Sequence, residues 1–368
     1  MQNTIVHDEG ATSPEVAVNR IKLNRSMIKI GLDVHARVYV AVVQYDQLLP
    51  KPARRFLPTE LVPWVESLLR RGHRVHLVYE ACGFGFTLYR QLIALGAHCY
   101  VIAPRKLDEQ YTRVKTDPRD ATTLCQRLSR YLEGNTRELA VIRVPTEEEE
   151  QARHVTRQRE QLVHHPQKLE AQGRSLLINH ALPAPAHWWK EQTWTRLSKH
   201  LPQWITTRLQ IARPALLSLQ EQIETLTIQL EATAPPHLPA GLGKLTSVML
   251  TREICDWHRF NNRRAISSYT GLCPGERSSG SKRVPGSVTK RGNPRVRAAL
   301  VECAWRMVRF QPQYPPVQKR LALLGKGSPA PGAVRKKAIV AVARRLAVDL
   351  WRLHTGRCTA TQLGFTIK

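Results

Sequence analysis

Residues 28–44 read IKIGLDVHARVYVAVVQ. Two β-rich runs flank a short polar stretch, the pattern of a hairpin that begins a sheet. Further along, residues 74–80, RVHLVYE, form another strand, followed by Gly83 and Gly85. A helix fits 86–95, with Gly96 as its C-terminal stop. Residues 98–103, HCYVIA, supply one more strand. Strands alternating with helices predict an α/β domain. The spacing of Leu124, Leu128, Tyr131 and Leu132 predicts a helix over 117–133, ended by Gly134.

A different pattern begins near residue 146. Thr146 and Glu149 match a capping box, and Glu147 to Glu150 suit the positive end of a helix. Val155, Leu162, Leu169 and Leu176 then recur every seven residues, with Pro166 expected to kink or break the run. Leu209, Leu216, Leu219, Ile223, Leu226 and Leu230 form a second apolar run. The two runs can pair as an antiparallel hairpin, as an intermolecular coiled coil, or as ordinary core. Between them, residues 183–204 carry three prolines and four tryptophans, which reads as short helices with anchoring aromatics. After Pro235-Pro236 the chain is helical in outline, with an irregular loop expected over 273–292. Asn293 before Pro294 predicts the start of a helix reaching about residue 310, and another helix fits 333–354.

The charge is the strongest compositional fact. The 368 residues carry a net +27. From residue 240 onward there are 25 Lys and Arg against 5 Asp and Glu, so the last third alone holds +20. Such concentration implies a polyanionic partner whose binding is driven by counterion release. Nucleic acid is favoured over a membrane surface, because no basic amphipathic helix with a bulky aromatic edge stands out. No apolar run is long enough to span a bilayer. The first 26 residues lack the apolar core of a signal peptide, and a disordered extension on a cytoplasmic protein is expected. Seven scattered cysteines without a CxxC pair argue against a disulfide framework and a zinc site.

Four acids recur at telling places. Asp33 lies in IGLDVHA, Glu80 ends HLVYE, and Asp117 and Asp120 stand in KTDPRDA. Three elements can gather them at the carboxyl edge of a sheet. Hard divalent ions such as Mg²⁺ take oxygen ligands, and such ions support phosphoryl transfer. The duller alternative reads Asp117 as an N-cap, with Pro118 at N1 and Asp120 at N3. Asp33 resists that treatment, since a lone carboxylate in an apolar strand is costly.

Residues 271–297 read GLCPGERSSGSKRVPGSVTKRGNPRVR. Ser278, Ser279 and Ser281 stand among Arg277, Lys282, Arg283, Lys290, Arg291, Arg295 and Arg297. A serine attacking a phosphodiester needs such a positive field. A flexible phosphate-binding loop with solvated serines is the alternative. Upstream, GLGKLTS at 241–247 is similar to the hairpin of a helix-hairpin-helix element.

Taken in order, IGLDVHA, VYEACG, KTDPRDA and GLCPGERSSGSK…GSVTKRGNPRVRAALVECAW resemble the DEDD transposases of the insertion-sequence one-ten family, over residues 28 to 311. The resemblance implies a RuvC-like (RNase H) α/β domain over 27–145, in which Asp33, Glu80, Asp117 and Asp120 bind Mg²⁺. It implies a helical coiled-coil region over 146–234 and a mainly α serine transposase domain over 235–368. It places the nucleophile on Ser279, with Ser278 one register away. Donor and target double-stranded DNA, a structured noncoding guide RNA and a homo-oligomer, dimer or tetramer, are its implied partners. In that family the RuvC-like domain of one subunit completes an active site with the serine domain of another. The implied function is RNA-guided DNA strand cleavage and exchange through a covalent phosphoserine.

Overall fold

The computed structural model describes residues 26–104, 116–276 and 284–368. They fall into two compact units, one ending at Val144 and one running Pro145–Lys368. The expected N-terminal extension lies, but for Ser26, outside the described residues.

In the first unit, β1 (Met27–Val34) and β2 (Tyr39–Tyr45) form the expected antiparallel hairpin, with Leu32 opposite Ala41. β3 (Arg54–Phe56) continues the antiparallel edge. α1 (Pro58–Arg70) then crosses to β4 (Arg74–Glu80), which runs parallel to β1 with Leu32 opposite Tyr79. α2 (Thr87–Ala94) crosses to β5 (His98–Ile102), parallel to β4. The five-stranded sheet has the order β3-β2-β1-β4-β5. The α/β expectation therefore holds, with strand limits within a residue of those read from alternation.

Side-chain alternation assigns the two faces of the sheet. Ile28, Ile30, Leu32, Leu77 and Tyr79 pack with Leu61 and Val65 of α1 and Leu92 of α2. Each such aliphatic side chain contributes about 1.5–3 kcal/mol by burial. The opposite face of the same strands is covered by α3 (Asp117–Leu132). There Val40 and Val42 meet Ala121 and Cys125, while Val78 and Ile102 meet Leu124 and Leu128. Asp117 is not the N-cap. Thr116 holds that position with extended backbone and no side-chain cap bond, so Asp117 and Pro118 are the first two helical residues.

In the second unit, α4 (Glu147–Asn179) opens with the expected capping box. Thr146 Oγ1 accepts from the Glu149 amide at 3.2 Å, and the Thr146 amide donates to Glu149 Oε2 at 2.9 Å. Of the kink or break expected at Pro166, the break does not occur, and the helix continues through it for 33 residues. Loss of one helical hydrogen bond at an interior proline costs about 3 kcal/mol. Packing on both sides of it outweighs that cost. The partner is α6 (Gln203–Ala232), which itself carries Pro214. The pair is antiparallel within the chain. Arg159 Nε donates to Thr227 Oγ1 at 2.6 Å near one end, and Leu177 shares an apolar cluster with Leu209 near the other. The heptad residues Val155, Leu162, Leu169 and Leu176 are only half-buried, whereas Thr156, Gly173 and Leu177 are buried. α4 packs against both α6 and α7 (Lys244–Ile254), so it needs a broader stripe than a two-helix seam.

The linking segment contains α5 (Glu191–Leu197), and buries Trp188, Trp189 and Trp194. Glu170 anchors it. Its carboxylate accepts from the His187 amide and Trp189 Nε1, and its carbonyl from Trp188 Nε1. The remaining core is helical: α7, α8 (Arg263–Thr270), α9 (Pro294–Phe310), α10 (Pro315–Gln318), α11 (Leu321–Leu324), α12 (Gly332–His354) and α13 (Ala360–Leu363). The stretch 273–292, expected to be irregular, holds a small hairpin of β6 (Pro274–Glu276) and β7 (Pro285–Val288). Its strands are three and four residues long and rich in Pro and Gly, so no alternation marks them.

One buried group makes the first unit sensitive to acid. His76 is 8% exposed on the α3 face of β4 and stacks on His98. Burial pushes its imidazole down to about 4, and His98, Arg74 and Lys29 add to the shift. In the unfolded chain the same group takes its proton near 6.5. Its contribution is therefore full above that pH and is lost as pH falls from about 6.5 toward 4. Between pH 7.5 and 5 the loss is about 2 kcal/mol. Urea unfolding of wild type and His76→Phe at both pH values checks this. The variant should lose less stability on acidification, and equal losses would refute the assignment.

Candidate functional site

The acidic edge is built by strand register. Leu32 pairs with Tyr79 across the parallel β1–β4 ladder. The following residues, Asp33 and Glu80, therefore stand beside each other at the carboxyl ends of neighbouring strands, about 4.8 Å apart in the ladder direction. Both lie on the α3 face, because the residues two positions earlier meet that helix: Gly31 against Ala121 and Cys125, Val78 with Leu124 and Leu128. α3 begins over this edge with Asp117, and Asp120 follows one turn on.

Asp117 and Asp33 are brought together. One ligand atom each from Asp33, His35 and Asp117 lies within 4.8 Å of the others. His35 Nε2 is 3.1 Å from Asp33 Oδ2 and 3.7 Å from Asp117 Oδ1. Asp33 is largely covered, with its side chain 22% exposed. Burial raises its carboxyl above the ordinary range. The His35 ring opposes that shift, and the negative charges of Asp117 and Asp120 add to it. Asp117 and His35 are about half exposed beside it. Acids that repel one another, one of them largely covered, are stabilised by a cation placed among them. Two carboxylates and an imidazole fit a divalent ion, and the nitrogen admits transition ions as well as Mg²⁺. His35 was missed by the sequence reading, which sought oxygen ligands alone. Its position two residues after Asp33 was the available signal.

The serine segment is described at its base. Ser278, Ser279 and Ser281, with Arg277, Lys282 and Arg283, lie outside the described residues. Pairing of Pro274 with Val288 and of Glu276 with Pro285 brings the two sides of that segment together. The chain leaves α8 and returns through Gly292, whose φ is +148°. A Cβ there would stand 2.3 Å from the Tyr269 carbonyl oxygen, so the close return requires glycine.

A buried network pins this base. The Glu253 side chain is fully buried and accepts from Arg157 Nε at 2.7 Å and Nη2 at 2.9 Å. Asn293 Nδ2 donates to the same carboxylate at 2.8 Å, while Asn293 Oδ1 caps α9 by accepting from the Arg295 and Val296 amides. Tyr269 Oη donates to the Glu253 carbonyl at 2.8 Å. Burial alone raises the Glu253 carboxyl, but the Arg157 and Asn293 hydrogen bonds and nearby arginine charge outweigh it, and the net direction is down. The sequence reading missed Glu253 and Arg157, which are 96 residues apart.

The four described cations of the predicted nucleic-acid set differ. Lys290 and Arg291 are exposed. Arg295 Nε is 2.6 Å from Glu160 Oε2. Arg297 Nη1 donates to the Thr270 and Lys290 carbonyls, tying the two ends of the segment.

Replacing Glu253 by Gln should lower the unfolding free energy by about 3 kcal/mol, because it leaves Arg157 without its counter-charge. Urea denaturation measures this, and a change below 1 kcal/mol (about a fivefold change in the folding equilibrium) would show that the network does not hold the base together.

Comparison with known proteins adds an independent line. Residues 239–317, spanning the serine segment and α9, match the Transposase IS116/IS110/IS902 family. The protein named "Putative transposase y4rJ" of Sinorhizobium fredii is 32% identical over 307 residues, covering 75% of this chain and 76% of that protein. "Putative transposase y4qE" of the same organism is 32% identical over 265 residues, 68% of this chain. The match spans 62% of that relative, less than two thirds of its length. The transposase for insertion sequence element IS1111A of Coxiella burnetii is 26% identical over 248 residues, 63% of this chain and 66% of that protein.

Proposed function

The chain belongs to the IS116/IS110/IS902 family of transposases, and on that premise we propose that it cuts and joins the DNA strands of an insertion sequence through a covalent phosphoserine on Ser279. The observation that carries this reading is the convergence of Asp33 and Asp117, with Glu80 beside Asp33 in the ladder. An open mixed sheet with acids at the carboxyl ends of its central parallel strands supports a RuvC-like identity for the first unit.

Asp33, Glu80, Asp117 and Asp120 would hold Mg²⁺, which supplies Lewis-acid stabilisation of charge on phosphoryl oxygens. His35 orients Asp33 by its hydrogen bond. In the reaction, Ser279 Oγ forms a bond to phosphorus and loses its proton. The bond from phosphorus to one sugar oxygen breaks, and that oxygen takes up a proton. A sugar hydroxyl of the second strand then displaces the serine, which regains its hydrogen. The phosphoserine conserves the bond energy, so strand exchange needs no nucleotide hydrolysis. The arginines and lysines flanking Ser279 neutralise the phosphodiester.

A structured guide RNA and a homo-oligomer, dimer or tetramer, complete the reading. The net charge of +27 supports a large polyanionic partner, since backbone contacts suffice when base pairing selects the sites. Exposed Ile178, Ile211 and Ile228 on the two long helices support association of copies through a coiled-coil region.

The test is an SDS-resistant protein–DNA adduct formed in Mg²⁺ on DNA carrying the element's ends. Wild type should form it, Ser279→Ala should abolish it, and Asp33→Asn should slow it by about 100-fold or more. An adduct that persists in Ser279→Ala moves the nucleophile elsewhere. Cleavage by wild type without any adduct assigns the attack to water, as in a metal nuclease.

A further inference from the structure

Far from the serine segment in sequence, the second unit holds a cavity of about 430 Å³ with three walls. Ala341, Arg345, Asp349 and Arg352 form one, spaced so that they share a face of α12. Lys319 and Arg320, just past α10, form the second, and Gln362 of α13 lies on the third. Four cations therefore surround a concave space.

Their surroundings neutralise them only in part. From residue 318 to 353 the chain carries nine Lys and Arg and a single acid, Asp349. That acid is 2% exposed and committed to the protein. Its Oδ2 accepts from Tyr314 Oη at 2.7 Å and Arg345 Nε at 2.9 Å. Its Oδ1 lies 3.7 Å from Arg352 Nη1. Asp349 thus acts as a buried brace. It fixes two guanidinium groups at the cavity and removes one unit of charge, leaving about three positive charges facing the space by Coulombic count. Arg345 meets Asp349 through Nε, which leaves the terminal nitrogens of its fork for a ligand. Lys319 is exposed at the rim. Fixed forks beside a mobile ammonium suit a tetrahedral anion more than a planar apolar one.

We propose that this cavity is a second phosphate cradle, which grips the backbone of a nucleic acid separately from the serine segment. The proposal rests on the nucleic-acid reading of the preceding subsection. Most of the cradle lies beyond the family-matched residues 239–317, so it concerns a part of the chain that the family match does not describe. A phosphodiester is the shared chemistry of DNA and RNA, and the test separates them.

The test is fluorescence anisotropy with the full chain and two probes, a 30-base-pair DNA duplex of arbitrary sequence and an RNA hairpin of similar length. The double variant Lys319→Glu with Arg345→Gln keeps a hydrogen-bonding side chain at position 345. A control, Lys199→Glu with Arg208→Gln, makes the same charge change at exposed positions in the linking segment and on α6. The cradle variant should lose about tenfold in affinity near 150 mM salt for at least one probe, and its log–log salt slope should fall by about 2. The control should change less than about twofold. Loss for the duplex alone assigns the cradle to DNA, loss for the hairpin alone assigns it to RNA, and loss for both assigns it to any phosphodiester backbone. Equal effects of the two variants on both probes overturn the cradle, with the transposase reading untouched. Failure of wild type to bind either probe overturns the nucleic-acid reading itself. Matching circular dichroism spectra and thermal midpoints establish that the variants fold.

Discussion

The acidic site depends on how closely α3 approaches β1. At Gly31 a Cβ would stand 2.2 Å from the Ala121 carbonyl oxygen and 2.4 Å from the Cys125 nitrogen. Only a residue without a side chain admits backbone against backbone there. Ala121 lies one turn after Asp117, so the same approach sets the first turn of the helix over the end of the strand. Lys29, two residues before Gly31 and 1% exposed, fixes the far end by donating to Ser129 Oγ at 2.8 Å. A buried ammonium is costly, and this bond together with Glu133 at 3.7 Å offsets the cost. Helix position, acid cluster and apolar packing on that face are thus one arrangement.

The second unit solves a similar problem with charge added to the close packing at Gly292. A segment rich in Gly, Ser and Pro has little apolar surface to hold it. Its base is held by the Glu253 carboxylate, which ties α4 through Arg157 and α9 through Asn293. Arg297 closes the ends of the segment onto two carbonyls. Rigid elements that fix both ends of an irregular segment restrict the conformations open to it.

Sequence alone made much of this legible, for local reasons. The strands β1, β4 and β5 show as runs of β-branched and aromatic residues, the latter two with Gly nearby, and Asn293-Pro294 marks a helix start with a mechanism. Asp33 stood out because a carboxylate in an apolar strand needs a partner. The exact cap of α3 was less legible, since Thr116 and Asp117 are both suitable and only backbone geometry separates them. Pro166 does not end its helix, because its local cost is overridden by packing along α6, more than 30 residues away. His35 was hidden by the assumption of oxygen ligands. The Arg157–Glu253 pair was hidden by distance along the chain, where no local pattern signals a contact.

The central claim is that Asp33 and Asp117 gather to hold a divalent cation beside Glu80. Crystals grown with Mn²⁺, examined by anomalous diffraction, address it directly. The account predicts an anomalous peak bonded to carboxylate oxygens of both Asp33 and Asp117, at about 2.0–2.3 Å, and no such peak in Asp33→Asn. A peak bound elsewhere in the chain, or one that survives in Asp33→Asn, would contradict the account and return the acids to a structural role.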